Sequence, residues 1–426
     1  MGKERSSCEL GSMLGEEDSV IKSIKALGAV SALAAIAAVG GVQTASAHNG
    51  MLPHCTGVIK CGMGGAGVAL ATDATNAAVN PALMGEVGNE LHASVGWFHT
   101  ERWKDQSRRV NAASSTAPKE YSQLEDYPDG ALGVNYKIDS NWSVGVAAYS
   151  TGGGETKYST NRVSNALLFD TNVRIRMFQV APTIAYTTPS GKASYGLSLI
   201  YGYQDFKTNF MTSLNAQTTG NDKKDTANGY GFRVGGLWKF DKGVNLGASY
   251  TSKVQYQRLT KYRDVFIGAI DAPPIMQAGM ALTDLLPSTE VALDWKNIGW
   301  SKVFAINTTP QNGGFGWEDQ NVFMIGVQHH LTDAFTLRAG YSYADAPFDN
   351  DKVFANLMFP AINQHHITVG AGFQITDAIA LNGSAYYSPE ETMTDPGSGD
   401  IYSVRGNQTE IGHMQYGAMA GLSWKF

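Results

Sequence analysis

The C-terminal end of the chain alternates between apolar residues and small or polar residues. Every second residue in its last thirteen is apolar: Met414, Tyr416, Ala418, Ala420, Leu422, Trp424 and Phe426. Because successive side chains of an extended strand point to opposite faces, this pattern predicts a strand with one continuously apolar face. Such a face could contact lipid, or it could pack on the core of a soluble sheet.

Similar alternating runs follow one another from about Glu90 to the C-terminus, and the separators between them are alternately short and long. The short separators contain turn-forming residues, at Asp139-Ser140-Asn141, Pro189–Lys192, Asp241-Lys242-Gly243, Thr332-Asp333 and Thr376-Asp377. The long polar separators span about 103–129, 154–171, 210–228, 258–274, 305–319, 344–363 and 390–411. Short turns opposite long loops are typical of outer-membrane barrels, so this recurrence favours lipid over a soluble core.

The number of strands follows from the same alternation of turns. Thirteen strands are evident from the pattern. The strands at Val244–Gln257 and Thr289–Phe304 are both followed by long loops, so both would run toward the outer side of the membrane. One strand that runs back toward the periplasm must lie between them. Ile275–Leu285 is the remaining candidate for this strand, although its alternation is the weakest of all. The sequence therefore predicts an all-β, transmembrane antiparallel β-barrel of about fourteen strands, an even number as in bacterial single-chain barrels.

One long apolar segment lies near the N-terminus, at about Ala26–Val42. Lys22 and Lys25 precede it, and the small residues Ala45-Ser46-Ala47 follow it. This order predicts a secretory signal peptide in residues 1–47 that is cleaved before His48. The first residues of this range are expected to precede the true start of translation. An uncleaved anchor is the alternative, but it would leave the alternating strands unexplained. We therefore expect localisation in the cell outer membrane of a Gram-negative bacterium.

The composition agrees with a barrel. Charged residues are only 16% of the chain, whereas Gly (48 residues) and aromatic residues (10%) are plentiful, which suits tight turns and aromatic girdles. The mean hydropathy of −0.19 argues against a helical membrane protein. The net charge of −6 gives no indication of nucleic-acid binding.

The alternation of side chains along each strand also predicts which charged residues face the lumen. If Leu337 and Tyr341 face lipid, Arg338 faces inward, and the same argument turns Arg233, Arg174 and Arg176 inward. A basic lumen could attract a carboxylate. The alternative, which we favour from the sequence, is that the inward charges satisfy one another across a hydrated interior.

The stretch Cys61–Gly85 is the most specific in the chain. Its residues Gly62–Gly67 satisfy G-x-G-x-x-G, but a dinucleotide site would need a βαβ unit around them, and here a secretion signal precedes and a barrel follows. Small residues are better explained by close packing of a plug on the barrel walls. Cys55 and Cys61 lie just before this stretch in an oxidising compartment, where a structural disulfide is plausible, although the sequence leaves open whether they are bridged.

This stretch resembles the FadL family of outer-membrane channels for long-chain fatty acids and other hydrophobic compounds. The resemblance rests on the Gly/Ala-rich run with Gly64, Gly65 and Gly67, on Asp73-Ala74-Thr75, and on Asn80-Pro81-Ala82. It continues at Gly247–Lys253, Trp300–Phe304 and Thr336–Tyr341, and it spans essentially the whole mature chain. The strand motifs are weak singly, and the chain departs from the family pattern around 275–288.

The resemblance implies a barrel, residues 90–426, whose lumen is closed by an N-terminal hatch, residues 48–89. It maps Asn80, Pro81 and Ala82 into this hatch. It also implies that cargo leaves sideways where the third strand kinks inward. The third predicted strand is Trp142–Ser150, and the glycines Gly152, Gly153 and Gly154 after it could permit such a kink. A flexible loop start is the alternative explanation for these glycines.

Neither a metal site nor a catalytic site is predicted. The pairs His329-His330 and His365-His366 each point to opposite faces of a strand, so neither pair could chelate one ion unaided. His48, His54, Cys55 and Cys61 fit no standard zinc spacing. The motifs G-x-S-x-G and H-E-x-x-H do not occur. We therefore expect no enzyme activity and no cofactor.

Three functions remain open from the sequence. The first is a passive outer-membrane importer of hydrophobic small molecules, such as long-chain fatty acids or hydrocarbons, with lateral release. The second is a surface-exposed structural or adhesive barrel that acts through its long loops, and the third is a general porin for polar solutes. The hatch motif favours the first. We also expect contact with outer-membrane lipid, a monomer, and recognition of the last strand, ending at Phe426, by the barrel-assembly machinery.

Overall fold

The computed structural model describes residues 49–108, 119–158, 171–209 and 222–426, and in them fourteen long antiparallel strands form one closed sheet. The strands are β1 Glu90–Asp105, β2 Asp126–Lys137, β3 Trp142–Lys157, β4 Asn172–Thr187, β5 Ala193–Thr208, β6 Asp225–Phe240, β7 Val244–Thr251, β8 Ile275–Leu286, β9 Thr289–Ile298, β10 Gln320–His330, β11 Phe335–Ala344, β12 His365–Thr376, β13 Ile379–Thr394 and β14 Glu410–Lys425. Each strand pairs with the next along the chain, and β1 pairs with β14 to close the barrel. The predicted fourteen-stranded barrel is therefore confirmed.

The remaining elements are short. The α-helices are α1 Val58–Cys61, α2 Phe304–Asn307 and α3 Ile401–Gly406. The 3₁₀ turns are Ala74–Ala78, Pro81–Gly85, Asp241–Gly243, Trp300–Lys302, Pro310–Asn312, Asn350–Lys352 and Phe354–Asn356, and the two-residue strands Glu120–Tyr121 and Gln255–Tyr256 pair with β1 and β6. Within the described residues, no helix has the length and apolar character needed to span a membrane.

The outer face of the barrel is apolar because alternate residues of each strand point outward. In β5, Leu197 and Leu199 are 43% and 63% exposed. Ser194 and Ser198, which lie on the opposite face of the same strand, are fully buried. The same alternation exposes Ile367 and Val369 in β12. Large apolar side chains on the outside and small polar ones inside are the arrangement that a lipid-embedded barrel requires.

The weakest predicted strand, near residues 275–285, is present as β8. It pairs along its length with β7 and with β9. The turn that follows contains Ser288 in a left-handed conformation, with a φ of 54°. The prediction from the alternation of turns is therefore right even though the residue pattern of this strand is poor.

The predicted N-terminal signal peptide lies outside the described residues, as do parts of three predicted external loops. The first described residues, 49–89, form no part of the barrel wall and contain three short helical turns, at Val58–Cys61, Ala74–Ala78 and Pro81–Gly85. Most of their side chains are buried. We call residues 49–89 the hatch segment.

Candidate functional site: a hatch, an apolar groove and a parted wall

The glycines of the hatch segment allow it to lie directly against the barrel wall. Gly64 has a φ of 67°, and a Cβ atom there would lie 2.7 Å from the backbone nitrogen of Tyr341 in β11. Its own N–H donates to Thr368 Oγ1 in β12 at 2.9 Å. Gly65 and Gly67 also have positive φ values, of 83° and 126°. A side chain at any of these three positions would be strained; at Gly64 it would also push the hatch segment away from the wall, whereas at Gly65 and Gly67 it would meet His54 and Lys60 of the hatch segment itself.

Asp73 and Asn80 each begin one turn of the hatch segment. The carboxylate of Asp73 accepts a hydrogen bond from the Thr75 N–H at 2.7 Å, and the Asn80 side chain accepts one from the Ala82 N–H at 3.1 Å. Both are favoured N-cap residues, and Pro81 occupies the first helical position, where its missing N–H costs nothing. The spacing of these motifs therefore encodes two capped turns, and Ala82 is fully buried behind the second.

Asn80 also fastens the hatch segment to the wall. Its amide nitrogen donates to the Val68 carbonyl at 2.8 Å and to the Gly236 carbonyl of β6 at 3.0 Å. A Cβ atom on Gly235 would lie 2.0 Å from the Asn80 side-chain oxygen, so only glycine fits there. The side chain of Asn80 is fully buried, and it satisfies two buried carbonyl groups that would otherwise lack a donor.

A second attachment involves Asp294 of β9. One of its carboxylate oxygens accepts the N–H groups of Gly67 at 2.9 Å and Val68 at 2.8 Å, and a hydrogen bond from Gln277 at 2.9 Å. Parity analysis of the strand Thr289–Phe304 would have turned Asp294 inward, but the sequence alone gave no reason to single it out. The attachment is visible only when the hatch segment and the wall are seen together.

Lys60 is a buried cation inside the hatch segment. Its ammonium donates to the Gly67 carbonyl at 2.7 Å and to the Leu70 carbonyl at 3.1 Å. Burial lowers the pKa of Lys60 to about 8, although the negative charges of Asp73 and Asp294 act in the opposite direction. The hatch segment thus carries a lysine whose charged form is disfavoured by folding.

The stability of the hatch segment should therefore depend on pH through Lys60. Between pH 8 and 10.5 the unfolded segment binds a proton that the folded one does not, so the free energy of unfolding rises with pH across this window. Relative to Lys60→Met, which does not titrate, wild type should gain up to about 3 kcal/mol between pH 7 and pH 10.5. Chemical denaturation of both proteins at the two pH values measures this difference, and a difference that is independent of pH would contradict the prediction.

Cys55 and Cys61 are joined by a disulfide, with their Cα atoms 5.1 Å apart. Cys61 is the last residue of α1 and is buried. The ligand atoms of His54, Cys55 and Cys61 lie within 4.8 Å of one another, but bridged sulfurs are not available as thiolate ligands. This cluster therefore carries no metal proposal.

The third strand is longer than predicted, which corrects the sequence analysis. It does not end at Ser150: β3 runs through Gly152, Gly153 and Gly154 to Lys157, and its ladder with β4 shifts register between Ser150 and Gly152. All eight residues from Ala147 to Gly154 are buried, on both parities. A strand of the wall that faces lipid would alternate, so both faces of this half of β3 are covered by protein.

Beyond Tyr149, the strands β2 and β3 are no longer paired. Their ladder joins Lys137 to Ser143 and ends at Ala131 and Tyr149. The remaining residues of β2, Asp126–Gly130, pair with β1 and have no partner residues in β3. Gly153 instead donates its N–H to the carbonyl of Met51 in the hatch segment at 2.9 Å. The ladder between β2 and β3 is therefore interrupted here, although the Gln123 N–H donates to the Lys157 carbonyl farther along at 2.8 Å, and the hatch segment contacts β3 at the glycines.

The four predicted lumen arginines all have polar partners. Arg174 lies 3.1 Å from Asp205, and Arg176 lies 3.3 Å from Glu155. Arg338 donates to Gln328 at 2.6 Å and to Asn382 at 3.0 Å. Arg233 donates to Thr251 and to the Ala77 carbonyl, both at 2.7 Å, which makes it a further attachment of the hatch segment. Two of the four arginines thus pair with a carboxylate, whereas Arg233 and Arg338 bond uncharged groups.

An interior cavity of about 90 Å³ lies between the hatch segment and the wall. Residues 52–56 of the hatch segment line it on one side, and wall residues such as Tyr149, Gln277 and Lys296 line it on another. The sequence analysis missed Lys296, although the parity of its strand would have turned it inward together with Asp294. Among the residues that the structure describes, the Lys296 ammonium has no carboxylate within 4 Å, and the nearest charge that acts on it is that of Asp294.

A larger apolar groove of about 420 Å³ lies at the end of the barrel where the long connections are. It is lined by the outer ends of β4 and β5 and by four long connections, and its aromatic residues are Phe206, Phe266, Phe315, Phe354, Phe359 and Tyr402. Phe315 and Phe359 pack edge to face, with ring centroids 5.2 Å apart. The sequence analysis predicted these loops but not the groove, because four distant segments build it.

Comparison with known proteins agrees with this architecture. Residues 38–394 match the family model described as outer membrane protein transport protein (OMPP1/FadL/TodX). A search of curated proteins gives no match.

Several solved structures share the fold. The Pseudomonas putida toluene transporter TodX matches with a TM-score of 0.65 and 19% identity, over 90% of this chain and 100% of that one. The Ralstonia pickettii toluene transporter TbuX matches with a TM-score of 0.63 and 17% identity, over 88% and 99% of the two chains. A Pseudomonas aeruginosa FadL homologue matches with a TM-score of 0.64 and 14% identity, over 88% and 100%.

These matches lend no support to an adhesive barrel, and they agree with localisation in the outer membrane. The family model covers most of the chain, including the hatch segment and nearly all of the strands. The chain therefore belongs to the outer membrane protein transport protein (OMPP1/FadL/TodX) family, as a fourteen-stranded outer-membrane transport channel with an N-terminal hatch.

Proposed function

We propose that the chain is a passive channel for hydrophobic small molecules, which are captured in the apolar groove and released sideways into the bilayer. The groove carries this proposal, because about 420 Å³ of space lined mainly by aromatic and aliphatic side chains is exposed where the long connections meet. Exposed apolar concavities of this kind bind apolar ligands. A porin for polar solutes would have no use for it.

A sideways exit suits such cargo. Returning an apolar solute to water costs about 0.8 kcal/mol per CH₂ group, so a route from groove to interior cavity to bilayer avoids most of that cost. The parted ladder of β2 and β3, with Gly152 and Gly153 at the shifted register, is the place that we propose for the exit. The interior cavity lies beside it, since Tyr149, Ser150 and Thr151 of β3 line that cavity.

The cargo class follows partly from the relatives and partly from Lys296. Two similar structures are of toluene transporters and one is of a FadL homologue, so both aromatic hydrocarbons and long-chain fatty acids are candidates. Lys296 lines the interior cavity with its positive charge. A carboxylate would give this ammonium a charged partner, so we propose that acids bind more tightly there than hydrocarbons of the same length.

Several further properties belong to the proposal. Residues 1–47 serve as a cleaved signal peptide, residues 48–89 as the hatch and residues 90–426 as the barrel. The protein works as a monomer in contact with outer-membrane lipid and has no enzyme activity. The barrel-assembly machinery recognises β14 together with Phe426, where the aromatic residues Trp424 and Phe426 lie on the exposed face.

A charge in the groove should reduce uptake of hydrophobic cargo. Phe359→Glu places a carboxylate among Phe315 and its aromatic neighbours, in a groove that Arg405 also lines. Cargo binding should weaken by about tenfold or more, since burying a polar group in a largely apolar site costs about 1–3 kcal/mol. The matched control is Gln311→Glu, an equal charge on an exposed residue of the connection between β9 and β10, which also contains Phe315. Uptake of a long-chain acid, an alkane and toluene into proteoliposomes measures the effect.

Each alternative function predicts a different result in the same assay. A general porin would pass a sugar as readily as toluene and would be indifferent to Phe359→Glu. An adhesive barrel would pass none of the probes faster than empty liposomes. Either result would overturn the proposed function.

A further inference from the structure

The interior cavity is too small for the proposed cargo in the state that the structure shows. Its volume is about 90 Å³. An apolar cavity of about 150 Å³ in another protein is known to hold one benzene ring. Because even a single aromatic ring needs more room than this cavity offers, a part of its lining has to move when cargo passes.

One part of the lining that lies outside the ladders of the barrel is the hatch segment between Leu52 and Thr56, where the His54 ring stacks on His366 of β12 with ring centroids 4.9 Å apart. Residues 53–56 belong to no helix or strand, and five consecutive residues, 52–56, line the cavity. The opposite lining residues Gln179 and Gln277 lie in β4 and β8, which are paired with neighbours on both sides. Moving them would break the ladders of the barrel. We call residues 52–56 the cavity wall segment.

The disulfide limits how far this segment can move. Cys55 is bonded to Cys61, and their Cα atoms are 5.1 Å apart. Cys61 is itself held in place, because it ends α1, and three residues later Gly64 donates to Thr368 of the wall at 2.9 Å. Without the bond, and with α1 intact, the three residue steps from Cys55 to Val58 could extend to about 10 Å.

We propose that the Cys55–Cys61 disulfide sets the upper size limit of the cargo, by tethering the cavity wall segment to the fixed end of α1. With the bond present, the segment moves only far enough to admit narrow molecules. Without it, the segment moves farther and wider molecules pass. The two cysteines are positioning residues, and this proposal rests on the proposed uptake of hydrophobic molecules.

The test compares molecules of one chemistry and rising width: toluene, naphthalene and pyrene. Their uptake rates are measured in proteoliposomes with wild type and with the double variant Cys55→Ser/Cys61→Ser. The ratio of pyrene to toluene uptake should rise by about tenfold in the variant, the effect of lowering one barrier by 1.36 kcal/mol relative to the other. Toluene uptake itself should stay close to that of wild type.

A second measurement covers the case in which the double variant does not fold. Wild type is reconstituted in its oxidised form, and dithiothreitol then reduces the disulfide to two thiols while it is itself oxidised to a cyclic disulfide. Alkylation followed by mass spectrometry verifies both thiols. The same rise in the pyrene to toluene ratio is expected, and the ratio should return to its starting value when the disulfide is reoxidised.

The outcomes separate this proposal from the proposed function. An unchanged ratio in the reduced protein, or an equal fall of all three rates, would overturn the tether and would assign the disulfide a purely structural role. If wild type takes up toluene no faster than empty liposomes do, the proposed function itself fails.

Discussion

Replacing Asn80 with alanine should release the hatch segment from the wall and make the barrel permeable to small polar solutes. The substitution removes the hydrogen bonds to the Val68 and Gly236 carbonyls and the cap on the Ala82 N–H. All three partners are buried, and each lost hydrogen bond costs about 1 kcal/mol. We therefore expect the free energy required to open the hatch segment to fall by about 3 kcal/mol, while the barrel stays folded.

Two measurements check this expectation. Hydrogen exchange of the hatch amides should accelerate by about a hundredfold, which corresponds to such a loss, while amides of β5 and β6 keep their protection. Conductance of the reconstituted barrel should rise as the hatch segment opens.

The matched control is Asn80→Ser. Serine is a favoured N-cap residue and keeps the cap on Ala82, but its short side chain cannot reach both carbonyl groups. It should give an intermediate effect. Exchange rates in Asn80→Ala that equal those of wild type would show that other attachments, such as those of Asp294 and Arg233, hold the hatch segment without Asn80.

The barrel could be predicted from the sequence because its determinants are local. Alternation along each strand gives the lipid-facing side, as at Ile367 and Val369, and the alternation of short and long connections gives the order of the strands. That order even required a strand at Ile275–Leu285, where the residue pattern is weak, and the structure has it at Ile275–Leu286. The caps formed by Asp73 and Asn80 are equally local, since each side chain bonds a backbone group two residues away.

Contacts between distant parts of the chain could not be predicted from the sequence. Asp294 binds Gly67 and Val68 across more than two hundred residues, and periodicity carries no information about such a pair. The apolar groove is likewise assembled from four connections that are far apart in sequence.

The end of β3 was misjudged for a related reason. Glycines such as Gly152 usually interrupt strands, and here the strand continues because the hatch segment covers one face of it and supplies the carbonyl of Met51 to Gly153. A strand whose faces are both covered shows no alternation, so pattern analysis stops at Ser150 although β3 extends to Lys157. The alternation of a strand is thus lost where a second segment covers its outer or inner face.

The second large effect is expected from Gly153→Ala, which should lower uptake of hydrophobic cargo by at least about tenfold. Gly153 has a φ of 144°, and a Cβ atom there would lie 2.3 Å from the Ile175 carbonyl oxygen of β4. A side chain in such a conformation costs on the order of 1–3 kcal/mol. The strain would be relieved if β3 straightened, which would extend its ladder with β2 and close the proposed exit.

Gly154→Ala is the matched control, because it places the same methyl group one residue farther along the same strand. There the nearest atom to the new Cβ would be a guanidinium nitrogen of Arg102 at 3.8 Å, which is ordinary contact, and the φ of Gly154 is not positive. Uptake by Gly154→Ala should therefore equal that of wild type, whereas Gly153→Ala should capture cargo in the groove and fail to release it. Binding of cargo to the purified proteins, measured beside uptake, separates these steps. Equal uptake by the two variants would mean that cargo does not leave between β2 and β3.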